Sequence, residues 1–167
     1  MAFDTFMKIE GPVVTGESTA KGFEGTFEVF SFSWGASNPV TIGSGAGGIS
    51  AGKVSISSFN IMKKSEISSA NLFQSVCNGQ HYEKITLTMR KAGGTAGQTP
   101  FLIYVFENCM LESIQWSGSS GGDDTPTESI SIAFGKVSIT YSKQAGKTGS
   151  IANGGQAVWD LTKVAAE

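Results

Sequence analysis

A chain of 167 residues, 40% of them apolar, is long enough to bury roughly 70% of its unfolded surface around one core, and two domains would leave two undersized cores. A formal net charge of −2 removes the global charge excess that draws a chain to nucleic acid or to an anionic membrane. Charged residues make up 16% and glycines number 22, against about 25% charged in soluble domains, which fits an all-β chain full of turns or one with much of its surface against partners.

The opening, Met1 to Ile9, has neither a basic n-region nor an apolar h-region, so it reads as a first strand over Phe3–Ile9 and not as a secretory leader. Gly11–Gly22 is a loop with Glu17-Ser18-Thr19 as its polar turn. Thr26–Trp34 is the second strand, and its phase shifts: Phe27 and Val29 share one parity, Phe30, Phe32 and Trp34 the other. One extra residue does this, so a bulge or sharp coil is expected near Val29-Phe30. Within the strand Ser31 and Ser33 alternate with aromatics, giving one greasy face and one small, wettable face.

Asn38–Gly52 carries too little apolar bulk for a core and reads as a long extended loop, functional or disordered, reaching another copy of the protein. The third strand, Lys53–Met62, slips phase at Ser57-Ser58. Ser65–Asn78 is the single helix: Ile67, Ala70, Phe73, Val76 and Cys77 recur at helical spacing with Leu72 widening the stripe. Ser65 or Ser68 caps its start and Asn78-Gly79 supply a left-handed stop. Glu83–Lys91, a glycine-rich hairpin at Ala92–Gly97, a central strand at Pro100–Phe106, Met110–Trp116 and Glu128–Tyr141 follow, the last slipping at Gly135. Slips in long strands let a sheet bend toward closure, so the pattern predicts a mainly β fold: a small β-barrel of two strongly coiled antiparallel sheets, one flanking α-helix and a long extended loop. Residues 1–167 form that single domain, with a tail over 142–167 that is loose apart from a short strand at Val158–Leu161. No run reaches the ~20 apolar residues of a membrane-spanning helix.

Several residues invite chemistry that their context denies. Gly43-Ser44-Gly45-Ala46-Gly47-Gly48 matches G-x-G-x-x-G, and Gly47 to Lys53 approaches a P-loop, but a strand follows where a phosphate-binding helix is required. His81 is the sole histidine and follows Gly79-Gln80 at a junction without a nucleophile elbow. With two isolated cysteines, Cys77 and Cys109, zinc-type spacing is absent, and both read as buried free thiols of a reducing compartment. Asp123, Asp124 and Glu128 read as acids that keep a hairpin soluble. These features predict no enzyme, no metal and no cofactor. The Ser31/Ser33 face suits either an ordinary solvent-facing strand or the wall of a water-filled channel.

The blocks Ser33-Trp34-Gly35, Ala51-Gly52-Lys53-Val54, Gly79-Gln80-His81-Tyr82, Thr86 to Gly94 with its Arg90-Lys91-Ala92-Gly93-Gly94, Gly121-Gly122-Asp123-Asp124, Pro126-Thr127-Glu128 and Tyr141 resemble, in order, the Hcp family. These are the haemolysin-coregulated tube proteins of the bacterial type VI secretion system. The resemblance runs from Phe3 to about Leu161 and implies plain Hcp without a fused effector domain. It implies a hexameric ring, rings stacked into an inner tube similar to phage tail tubes, and small effectors carried and chaperoned in the lumen. The implied partners are further copies of the chain, lumen effectors, and the sheath and spike/baseplate proteins, with no nucleic acid and no membrane insertion. Synthesis in the bacterial cytoplasm without a signal peptide and export through the secretion machine are likewise implied. Carried over residue by residue, Ser31 and Ser33 face the lumen. Thr41, Ile42, Gly43, Ser44, Gly45, Ala46, Gly47, Gly48, Ile49 and Ser50 form the ring-stacking loop. The competing reading is a monomeric β-sandwich that binds a carbohydrate ligand, which requires exposed aromatics on a flat face.

Overall fold

The computed structural model describes residues 3–43, 47–93, 97–122, 124–145 and 150–166. Its strands are β1 (Asp4–Glu10), β2 (Phe27–Glu28), β3 (Ser31–Ser33), β4 (Ala36–Ser37), β5 (Val40–Ile42), β6 (Ile49–Ala51), β7 (Ser55–Ile56) and β8 (Phe59–Lys64). After helix α1 (Ser69–Asn78) come β9 (His81–Gly93), β10 (Gly97–Ser117), β11 (Thr127–Ala145), β12 (Ser150–Asp160) and β13 (Ala165–Ala166). Nine strands share one antiparallel sheet ordered β13-β12-β11-β10-β9-β1-β2, with β8 added to β11 and β3 added to β8. The fold is mainly β with one helix, as the sequence pattern predicts.

The phase slips are where strands change partners. At the first, Val29 N–H donates to Thr5 O and Phe30 N–H donates to Met62 O, so consecutive residues tie β1 to β8. What the sequence presents as one bulged strand is therefore two short ones joined by a corner. Among the described residues the hydrogen-bonded ladder does not close on itself; this corner of chain links its β1–β2 edge to β8. At Gly135, β11 leaves β8, whose pairing ends at Ile132, and takes up β12, whose pairing begins at Lys136. Leu161 N–H donates to Gly135 O at the same place. At the third slip Ser57 Oγ accepts from Gly35 N–H and donates to Gly35 O, pinning the ribbon where β7 gives way to β8.

Four expectations need correction. Pro100–Phe106 and Met110–Trp116 belong to one 21-residue strand, because Asn108, one of the residues that tolerates φ of 56°, absorbs the kink without ending it. The tail is not loose: β12 pairs with β11 from Lys136 to Ala145. Its glycines hide the alternation that marks a strand, yet they fit the ladder, since a Cβ on Gly154 would sit 2.7 Å from the Tyr141 ring. The Asn38–Gly52 loop contains a two-stranded ribbon, β5 with β6. Helix α1 starts at Ser69, four residues later than expected; the Ser68 hydroxyl caps nothing and donates to Glu66 Oε1 at 2.6 Å.

The core is Met7, Ile9, Phe27, Phe59, Ile61, Leu72, Tyr82, Ile85, Leu87, Phe106, Ile130 and Ile132 with their neighbours. Trp34 joins it edge-on to Tyr104, Phe106 and Phe134, with centroids 5.4–6.1 Å apart. The helix meets this core through Leu72 and through Ser75, whose hydroxyl lies 2.5 Å from Tyr82 OH. The apolar stripe faces inward only in part: Leu72 is buried and Val76 packs against the core, whereas Ile67 is 68% and Phe73 49% exposed. The stop does hold, with Gly79 left-handed at φ 67° and Gln80 N–H donating to Ser75 O.

Candidate functional site

Ser31 and Ser33 leave β3 on the face opposite Phe32, which packs toward Phe59 and Tyr104. Register carries their face across three more strands. Ser33 pairs with Asn60, Asn60 with Ser131, and Ser131 with Ser113. The next row is Ser31, Met62, Ser129 and Gln115, and a third adds Lys64, Thr127 and Ser117. Residues of alternate parity, Phe59, Ile61, Ile130 and Ile132, are buried beneath. The two serines picked out in the sequence are one edge of a four-stranded wall with six serines on it.

A bulge in β10 between Leu111 and Ser113 adds Glu112 to this wall. Its Oε2 accepts from Ser58 Oγ at 2.8 Å and from Ser131 Oγ at 3.0 Å. The rest of the wall, Lys64 and the exposed thioether of Met62 apart, is neutral and able to donate or accept hydrogen bonds, which suits a water layer without committing to one partner.

Both edges of the wall are open. Among the described residues β3 pairs only with β8, and β10 beyond Met110 pairs only with β11, because β9 ends at His81 opposite Met110. The edges lie on opposite sides of the wall and present different side chains.

Directly behind the wall, Lys63 Nζ lies 2.7 Å from Glu128 Oε2, and the two side chains are 1% and 0% exposed. Trp116 Nε1 donates to Glu128 Oε1 at 2.8 Å. Burial would raise the Glu128 pKa; the hydrogen bonds from Lys63, Ser69 and Trp116 and the Lys63 charge outweigh it and hold the carboxyl below its ordinary range. Glu128 is thus not a solubilising hairpin acid, and Asp123 lies outside the described residues. The signal was available: Lys63 shares parity with Phe59 and Ile61, and Glu128 with Ile130 and Ile132, so both point inward.

The arm lies in a sheet of its own. Thr41, Ile42, Gly43, Gly47, Gly48, Ile49 and Ser50 are exposed, and Ser44, Gly45 and Ala46 fall outside the described residues. Strand β6, not a helix, follows the glycines, so the phosphate-loop geometry is missing. His81 is an exposed strand-start residue. Cys77 is exposed, against expectation, whereas the Cys109 thiol is buried and pushed up to about 12 by desolvation. Among the described residues no three His, Cys, Asp or Glu side chains converge to hold a metal, and no helix is long and apolar enough to cross a membrane.

A family model described as Type VI secretion system effector, Hcp matches residues 6–141. Protein hcp1 of Pseudomonas aeruginosa is 36% identical over 92 residues, 55% of this chain and 56% of that protein, so the match spans about half of that relative's length. A solved structure of a type six secretion system protein superposes with TM-score 0.90 at 32% identity, covering 99% of this chain and 100% of that one. Hcp1 from Salmonella typhimurium superposes with TM-score 0.79 at 28% identity, covering 100% of both chains.

Proposed function

From a chain that belongs to the Hcp family of type VI secretion proteins, we propose a structural tube subunit: copies assemble as hexameric rings, rings stack into an exported tube, and small effectors travel in the lumen. The observation that carries this reading is the serine wall with two unlike open edges. An open edge is a template for pairing with another chain. Two different edges on opposite sides of one sheet pair head to tail, and a head-to-tail contact generates a ring when the rotation closes. Each copy then contributes four strands to one continuous wall, and Ser31 and Ser33 face its water-filled interior. A hydroxyl-rich lining with few charges suits varied cargo, because Oε2 of the Glu112 carboxylate is occupied by Ser58 and Ser131 and most of the surface is neutral.

The Thr41–Ser50 arm is the stacking element. Ordering a glycine-rich arm costs about 1–2 kcal/mol per residue fixed, so one arm grips feebly. Six arms on a preformed ring act together and multiply affinity by ~10²–10⁴. Sheath and spike/baseplate proteins are the further partners, and the route is synthesis in the bacterial cytoplasm followed by export through the type VI machine. Light scattering after size exclusion, with negative-stain imaging, tests the reading: a mass of six chains and annular particles are expected. A single subunit at every concentration overturns it.

A further inference from the structure

The carboxylate on the serine wall is held by two strands other than its own. Glu112 leaves β10 at the bulge, and its side chain crosses β11 to reach Ser58, the residue before β8. Ser58 Oγ and Ser131 Oγ both donate to Oε2, and among the described residues they are the carboxylate's only partners. Beside them, Asn60 Nδ2 donates to Ser58 O at 3.2 Å. Glu112 and Asn60 are exposed, Ser58 and Ser131 half-buried.

The hydroxyl protons of this cluster are committed. A serine hydroxyl has a single proton to donate besides its lone pairs, and a carboxylate has lone pairs alone. With both hydroxyls turned to Oε2, what Ser58, Ser131 and Glu112 still present is acceptors. Asn60 Oδ1, without a partner among the described residues, adds another. Acceptors grouped around a negative charge match a cation built of donors, because charge-assisted hydrogen bonds are the strong ones. A guanidinium suits them better than an ammonium: its donors form a planar fork that reaches several acceptors at once, and it is more weakly hydrated.

Among the described residues the chain does not answer this charge itself. Lys64, the cation of the wall, stands opposite Thr127, four residues along β11 from Ser131. That places the two about 14 Å apart at ~3.4 Å per residue. A divalent ion fits less well, since calcium gathers about six to eight oxygens, several of them from carboxylates. Here one carboxylate stands among neutral oxygens, and among the described residues no three acidic or other metal-binding side chains converge.

We infer that Ser58, Asn60, Glu112 and Ser131 form a seat for an arginine side chain on the surface of cargo, one seat per subunit. The inference rests on the tube reading for its place in the lumen, and it names the class of cargo held there: small proteins that expose arginine. It is tested on the full chain by fluorescence anisotropy with a short labelled peptide of alternating arginine and glycine, and with the same peptide carrying citrulline, the uncharged isostere. The arginine peptide should bind at least about tenfold more tightly than the citrulline peptide. Glu112→Gln should lose at least about tenfold of the arginine affinity. Glu107→Gln makes the same change in net charge at a carboxylate that pairs with Lys136 outside the wall, and it should keep the parent's affinity. Equal affinity in Glu112→Gln and the parent, or equal losses from the two variants, overturns the inference. Displacement of the peptide by calcium at constant ionic strength also overturns it, in favour of a metal. Light scattering on the same samples decides the tube reading separately: a single subunit overturns that reading, while the peptide comparison still decides the seat.

Discussion

Lys63 and Glu128 face each other across the β8–β11 ladder with Nζ 2.7 Å from Oε2, both sealed from water. Removing one partner leaves a buried charge uncompensated, which costs about 3–5 kcal/mol, whereas replacing both by apolar residues of similar size is often neutral. Glu128→Leu should therefore shift the urea midpoint far down, and also strand the Trp116 indole N–H. Lys63→Met with Glu128→Leu should recover most of the loss. Equal damage from single and double variants would show that the pair is not the source.

The same carboxyl sets an acid limit. Its folded pKa lies below the ordinary 4.5, so between the two values the unfolded chain binds more protons and stability falls as pH falls. The contribution is complete above about pH 5 and is lost as pH drops through the folded value. Thermal midpoints taken from pH 6 to 3 should decline for the parent. They should decline less steeply for the Lys63→Met, Glu128→Leu double variant.

Helix α1 and the turn leading into it carry both a core and a surface side chain. Leu72→Ala opens a cavity in the core and should cost about 2–5 kcal/mol. Ile67→Ser, on the exposed stripe, should stay within about 0.5 kcal/mol for the isolated subunit. Denaturant titration below the assembly concentration separates the two.

The two segments richest in small residues should respond in opposite ways to deletion. Removing Ser150–Glu167 uncovers half of β11 and takes Trp159 and Leu161 off the core, so aggregation or failure to fold is expected. Removing Thr41–Ala51 leaves the Gly52 N–H to Pro39 O bond beneath the cut. Ring mass should persist by ultracentrifugation while stacking disappears. Loss of the ring itself would refute the separation of roles.

Ser33→Gln should leave the ring intact, because the change points away from the core, and should reduce co-purified or stabilised effector by crowding the lining. Retention equal to the parent's would remove Ser33 from the lumen list.

Much of this was legible where side chains alternate. The parity slips at Val29-Phe30, Ser57-Ser58 and Gly135 are visible in sequence because apolar residues flank them on both sides, and each marks a real corner. Only the end of β12, within the strand expected at Val158–Leu161, was legible; the rest was not, since Gly154, Gly155 and Ala157 offer no apolar period and the ladder with β11 is a backbone property. The helix misled for a different reason. Its stripe splits: Leu72 and Val76 pack on the core, Phe73 is exposed and Ile67 falls in the turn before the helix, while a serine bonded to Tyr82 takes the place of a further core side chain. The wall beyond Ser31 and Ser33 depends on register among four strands, which no local pattern encodes.

Strands β10 and β11 run 21 and 19 residues and each serves both halves of the sheet. Both strands bend without ending, at Asn108 and the Glu112 bulge in β10 and at Gly135 in β11. The wall is thus joined to the rest of the sheet by continuous backbone twice over, and a load on one part passes to the other through covalent chain as well as through packed side chains.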